Sequence, residues 1–97
     1  MYLVLVLLIL GQELNNFVGN GNTGSTNNVG LVVYSTGGNG AQMSFHRSGA
    51  YAINMGLDSD NVFRIGGWSA SANRLQLDMS GNLTVVNGSI VVDNTIY

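Results

Sequence analysis

The 97-residue sequence predicts an all-β chain of short strands and Gly/Asn turns, and three observations support this. From Val29 onward, apolar or alternating runs recur about every ten residues, with turn-forming residues between them. Several of these runs keep a two-residue period, which puts their apolar side chains on one face of a strand. No segment after Gly11 has the periodicity of an amphipathic helix.

Each predicted strand depends on a local pattern. Residues 30–34 form a short apolar run, and alternation supports the runs that contain Met43, Tyr51 and Leu75. The last two runs align at a six-residue offset and form a β-branched repeat, as in stacked short strands. The predicted strands are residues 30–34, 42–46, 51–55, 62–65, 74–79, 83–86 and 89–92. Clusters of Gly, Asn, Asp and Ser predict turns at residues 37–40, 58–61, 80–82 and 87–88.

The first part of the chain has a different composition. Residues 2–10 are an unbroken apolar run, shorter than the roughly 20 residues that a membrane-spanning helix needs. We interpret this run as a strand or short helix buried at a subunit contact, with a signal or membrane role as the alternative. Residues 15–28 are rich in Asn, Gly, Thr and Ser and predict a linker. The predicted organisation is therefore an apolar segment and linker over residues 1–28, followed by a β-rich segment over residues 29–97.

The composition favours an oligomer. The chain carries 14 Gly and 13 Asn, and only 8% of its residues are charged, against about 25% in ordinary globular domains. A small domain buries too little surface to offset easily the entropy lost when so many flexible residues become ordered. A core shared among identical chains would explain both the low content of charged residues and the small size of the chain. A net charge of −2 with three arginines argues against nucleic-acid binding, and the lack of cysteine excludes disulfides and thiolate metal sites.

Four motifs resemble those of one protein family. Residues 45–52 read FHRSGAYA, residues 56–61 GLDSDN, residues 66–69 GGWS and residues 80–84 SGNLT. In this order they resemble the distal segment of tailed-phage tail fibres, which is normally followed by a self-cleaving C-terminal trimerisation chaperone. The chain departs from that family at Ser48, where many relatives have Pro, and at residues 70–72.

The resemblance implies an intertwined homotrimeric fibre, similar to a β-prism or a triple-stranded β-helix. It implies a structural and receptor-binding component of the virion that works outside the cell, without catalysis and without a cofactor. The implied partners are two further copies of the chain, other phage tail or fibre proteins, and a bacterial surface glycan or outer-membrane protein. We further expect that Tyr97 lies at or near a maturation cut.

Two other functional classes stay open. The chain could be a self-assembling extracellular filament subunit or a surface-anchored adhesin, with residues 2–10 as anchor or contact. It could also be a glycan-degrading tailspike module, with Asp58 and Asp60 as a carboxylate pair. Residues so close on one turn rarely flank a sugar from opposite sides, so we favour an Asx-rich turn for these two carboxylates.

The candidate site residues fall into two groups, and no catalytic residue and no metal site is predicted. Three copies of His46 on a threefold axis could bind a transition-metal ion, but we favour a hydrogen-bonded structural histidine. For Trp68 we favour a buried anchor at the trimer core over an exposed ring that stacks on sugar. We expect the three arginines, Arg47, Arg64 and Arg74, to pair with Asp58 or Asp60 across a chain contact, and the alternative role for them is recognition of phosphate or an anionic sugar. The receptor-binding candidates are Tyr51, Trp68 and Arg47. The intersubunit candidates are Phe45, Tyr51, Trp68, Arg64, Asp58 and Asp60.

Overall fold

The computed structural model describes residues 16–94, so the predictions for residues 2–10 and for Tyr97 lie outside the described part. The chain divides into two compact units, Met1–Val32 and Val33–Tyr97, which are considered separately. In the first unit, residues 16–32 contain no regular strand or helix. Their loop is closed by the backbone N–H groups of Asn20 and Gly21, which both donate to the carbonyl of Asn28, at 3.1 and 2.7 Å.

The second unit is a single antiparallel sheet of five strands, whose order along the chain is also their order in the sheet. Residues 33–94 contain no helix, so the all-β prediction is confirmed. Each strand pairs with the next one through a short connection, which makes a simple meander. The strands are β1 (Ala41–Arg47), β2 (Tyr51–Leu57), β3 (Phe63–Gly67), β4 (Ala70–Leu77) and β5 (Leu83–Val86).

Five of the seven predicted strands are confirmed, and two are wrong. Residues 30–34 and 89–92 form no strand, although both runs are rich in β-branched residues. β-propensity mostly reflects packing against neighbouring strands, and neither run has a partner strand within the described part of this chain. Most of their large side chains are consequently exposed, including those of Tyr34 and Val91.

The strand register separates the sheet into two faces of opposite character. Successive residues of a strand point to opposite sides, so the cross-strand pairs fix which side chains share a face. We call one side the apolar face, formed by Ala41, Met43, Phe45, Tyr51, Ile53, Met55, Leu57, Phe63, Ile65, Leu75, Leu77, Leu83 and Val85. The other is the polar face, whose polar side chains are Gln42, Ser44, His46, Asn54, Arg64, Arg74, Gln76 and Thr84.

The apolar face is largely uncovered. Among residues 16–94, Ala52 is the only buried apolar residue, and it belongs to the polar face. On the apolar face Phe45 is 54% exposed, Leu77 43% and Leu83 63%. An antiparallel sheet usually packs one face against a core and leaves the other in water. In this chain the face with the composition of a core has no partner layer among residues 33–94.

Candidate functional site

The apolar face forms a continuous surface because its side chains meet in cross-strand pairs. Leu57 lies opposite Phe63, Phe63 opposite Leu77, and Leu77 opposite Leu83, so one row of large side chains crosses four strands. Contiguous apolar surface of this kind marks interaction sites on soluble proteins. Phe45 and Tyr51, two of the predicted intersubunit residues, lie on this face. Arg47 is placed on the same side by strand alternation, at the end of β1 opposite Tyr51.

Arg64 organises one end of the polar face. Its Nη1 lies 2.7 Å from Asp58 Oδ2 and 2.9 Å from Asp60 Oδ1, and its Nη2 donates to Asp60 Oδ2 at 2.9 Å. Its Nε donates to Gln76 Oε1 at 2.9 Å. The hydrogen bonds from Arg64 lower the pKa of Asp60, and those to the two carboxylates raise the pKa of Arg64. Arg64 therefore pairs with both aspartates within one chain, whereas the sequence led us to expect such pairing between chains; an intersubunit role for these residues stays a prediction.

The turn between β2 and β3 holds the two carboxylates in place. The N–H of Asn61 donates to the carbonyl of Asp58 at 2.9 Å, and Asp60 Oδ1 accepts the N–H of Val62 at 3.3 Å. This is the Asx-rich turn that the sequence predicts. A glycosidase acid needs a raised pKa, whereas the pKa of Asp60 is lowered by Arg64. The environment of these carboxylates is thus one of structural ion pairing.

A cleft of about 200 Å³ opens beside this ion cluster on the polar face, and Gly66 and Gly67 contribute to its lining. Gly66 lies between Asn54 of β2 and Arg74 of β4 in the cross-strand register. Its φ of 147° suits glycine, and a Cβ there would clash with the carbonyl oxygen of Asn73. Gly66 is buried because the chain at Asn73 and Arg74 packs closely over it, whereas Gly67 has only the Asn54 amide nearby, so the open part of the cleft floor is at Gly67.

Asn54 and Arg74 present hydrogen-bond donors to this cleft. The Oδ1 of Asn54 accepts the hydroxyl of Ser44 at 2.7 Å, which leaves its Nδ2 amide as the free end of the side chain. Arg74 makes no ion pair and no side-chain hydrogen bond within residues 16–94, in contrast to Arg64. The neighbouring Asp58 already binds Arg64 and, through Oδ1, the amide of Gln42 at 2.5 Å. The cleft therefore combines unused donors with acceptors that are already occupied.

Trp68 lies at the far end of the polar face, in the turn that joins β3 to β4. Its φ of 46° is unusual for a large side chain. The N–H of Ser69 donates to the carbonyl of Ala52 at 3.1 Å, and Ser69 Oγ accepts the N–H of Ala52 at 3.0 Å, so this turn is held against β2. The Trp68 ring packs on His46 with centroids 4.7 Å apart, yet Trp68 stays 54% exposed. Burial of Trp68 at a trimer core stays a prediction.

The SGN motif has a structural role in the turn between β4 and β5. Asp78 Oδ1 accepts the N–H groups of Ser80 and Asn82, each at 2.9 Å. These bonds, first those of Asn82, lower the pKa of Asp78 because they stabilise the carboxylate. The motif thus fixes the tight connection that brings β5 alongside β4.

The structure brings together some of the predicted site residues and separates others. Arg64, Asp58 and Asp60 form one cluster, whereas Tyr51 and Arg47 lie on the side of the sheet opposite to Trp68. Sequence reasoning missed Asn54 and did not distinguish Arg74 from the other arginines. The only signal for Arg74 was that it is one of three cations, which says nothing about its partners.

No protein-family model matches the chain, and no curated protein or solved structure matches it significantly. Within residues 16–94, no group of three or more His, Asp or Glu side chains is arranged to hold a metal ion. The same described residues include no helix long and apolar enough to cross a membrane.

Proposed function

We propose that this chain is a structural and adhesive segment of a bacteriophage tail fibre, assembled as a homotrimer outside the cell. The apolar faces of three sheets would meet at the shared axis, and the polar faces would point outward. Binding to a bacterial surface glycan or outer-membrane protein would then be summed over three chains and over several fibres. The resemblance of the four sequence motifs to tail fibres motivates the family assignment in this proposal.

The uncovered apolar face is the observation that supports assembly of the chain with further copies of itself. Thirteen side chains with the composition of a core lie on one side of the sheet, where Arg47 at the end of β1 is the only charged strand residue among residues 33–94, and the cluster of Arg64, Asp58 and Asp60 lies on the other side. Burial of an apolar side chain such as leucine contributes about 1.5–3 kcal/mol. A single chain leaves much of this energy unused, and a second layer made of identical chains would recover it.

The adhesive half of the proposal is supported by the polar face. Its ion pairs are made within one chain, so this face needs no partner to satisfy Arg64. The guanidinium of Arg64 binds both Asp58 and Asp60, which occupies the two carboxylates that a glycan-cleaving module would use here. An extracellular filament or anchored adhesin would use the same apolar contact, but its assemblies would grow beyond a closed trimer.

The test is the native mass of the full chain, measured by native mass spectrometry with a parallel sample heated in detergent. We expect three times the 10.2 kDa of one chain and resistance of the assembly to dissociation. A stable monomer would refute the fibre architecture. Open-ended filaments would favour the second functional class, and release of sugar from a host polysaccharide would favour the third.

A further inference from the structure

We propose that the cleft over Gly66 binds the carboxylate of an acidic saccharide through Arg74 and Asn54, while the sugar chain extends along the polar face toward Trp68. This inference rests on the proposed adhesive function and names the ligand class and the residues. It concerns the face opposite to the apolar one, so the binding site and the chain assembly can be tested separately.

The guanidinium of Arg74 supplies the cleft with a donor for an oxyanion. Arg74 lines the cleft, and its guanidinium has no carboxylate of residues 16–94 within ion-pair distance. Arg64, in contrast, already binds Asp58 and Asp60. A guanidinium offers paired donors that match the two oxygens of a carboxylate. Asp58, the acid that lines the cleft, is held by Arg64 and Gln42, which lessens its repulsion of an incoming anion.

The second wall of the cleft supplies a neutral donor in a fixed orientation. The hydroxyl of Ser44 donates to Asn54 Oδ1, so the amide nitrogen is the end left for a ligand. A Cβ placed on Gly67 would lie 3.6 Å from Asn54 Nδ2, which shows that this amide faces the glycine floor. The lack of a side chain at Gly67 allows a ligand to approach the backbone closely at that position. An amide beside a guanidinium is suited to a carboxylate together with a neighbouring sugar hydroxyl.

The aromatic pair gives the direction of the sugar chain. His46 and Ala52 form the cross-strand pair two residues along from Ser44 and Asn54, which is a shift of about 7 Å along the strands. The Trp68 ring packs on His46, so it lies on the same face of the sheet as the cleft and is displaced along the strands from Asn54. Aromatic rings offer an apolar surface with a polar edge at such sites. The strained φ of Trp68 is consistent with a side chain held in place for binding.

The experiment uses the full chain and an oligosaccharide of glucuronic acid, with the same oligosaccharide after reduction of its carboxylates to alcohols as the matched ligand. Trp68 is the only tryptophan, so its fluorescence reports binding, and calorimetry gives the affinity. We expect the acidic form to bind and change the Trp68 emission, and the reduced form to bind at least about tenfold more weakly. Equal binding of the two forms, or no binding of the acidic form, would overturn the proposal.

Three variants locate the site. Arg74→Gln should weaken binding of the acidic form about tenfold or more, and Asn54→Asp should weaken it as well, because it keeps the acceptor for Ser44 but adds a negative charge. Thr84→Asp adds the same negative charge as Asn54→Asp to the polar face but outside the cleft, and we expect no comparable loss. A loss with Thr84→Asp but not with Arg74→Gln would overturn the assignment. Displacement by inorganic phosphate as effective as that by free glucuronate would reduce the cleft to a simple anion site and also overturn it.

Native mass is measured on every sample, so the two proposals fail in different ways. A trimer that does not bind the acidic oligosaccharide would contradict the saccharide site and leave the fibre architecture standing. A monomer that binds it through Arg74 would support the site and contradict the fibre architecture.

Discussion

Replacement of Leu77 by Asp tests whether the apolar face holds copies of the chain together. Leu77 lies in the middle of the row of large side chains, between Phe63 and Leu83, and is still 43% exposed in a single chain. Complete burial of a leucine contributes about 1.5–3 kcal/mol, so the exposed remainder corresponds to about 1 kcal/mol per chain, or about 3 kcal/mol over the three chains of the proposed trimer. That loss alone weakens assembly roughly a hundredfold. Each buried carboxylate adds a desolvation penalty of several kcal/mol.

The assay is native mass at matched concentrations, with Thr84→Asp as the control. Thr84 lies on the neighbouring strand β5 but on the polar face, so the control adds the same charge to the opposite side of the sheet. Leu77→Asp should therefore give monomers or unfolded chains, whereas Thr84→Asp should keep the mass of the wild-type assembly. If both variants stayed assembled, or if both dissociated to the same extent, the apolar face would not be the contact between copies.

Three further predictions concern single positions in the sheet. Gly66→Ala should lower the melting temperature more than Gly81→Ala, because both have positive φ but only Gly66 is crowded by backbone; equal losses would contradict this. The pKa of Asp60 in the folded state lies below its usual value of 3.8, so the ionised carboxylate stabilises the fold above that pH and this stabilisation is lost as the pH falls further. Asp60→Asn should therefore flatten the acid side of a profile of melting temperature against pH. An unchanged profile would show that Asp60 does not stabilise the fold in this way. Trp68→Gly should be more stable than Trp68→Ala by about 1 kcal/mol in chemical denaturation, because glycine tolerates the positive φ; the reverse order would refute the strain.

The sequence predicted the strands in which apolar and polar residues alternate, because the two faces of the sheet have different environments. Met43 and Ile53 point to the apolar face and their polar neighbours to the other, so the two-residue period is visible without the fold. Residues 30–34 and 89–92 show why composition alone misleads, since a β-branched run becomes a strand only when a neighbouring strand is available. The turn at Trp68 and Ser69 was not predicted from the sequence. For this reason the predicted start of β4 is four residues too late, since the strand begins at Ala70.

The cleft could not be predicted because it depends on register. Gly66 lies opposite Arg74 only because β3 and β4 pair as they do before a shift between Gly66 and Gly67. A slip of one residue would send Arg74 to the other face of the sheet. Pairing of an arginine with Asp58 or Asp60 was predicted only between chains, although Arg64 lies close to both aspartates in sequence and is joined to them by one turn.

The meander order of the strands has a consequence for how the molecule forms. Every strand pairs with its sequence neighbour, so all ladders of the sheet arise from hairpins and the mean sequence separation of its contacts is small. Hairpins form within microseconds, far faster than chains meet at ordinary protein concentrations. Each chain can therefore shape its own apolar face before it encounters another copy. If copies of the chain assemble through this face, the rate of assembly is then set by the concentration of chains and not by the folding of the sheet.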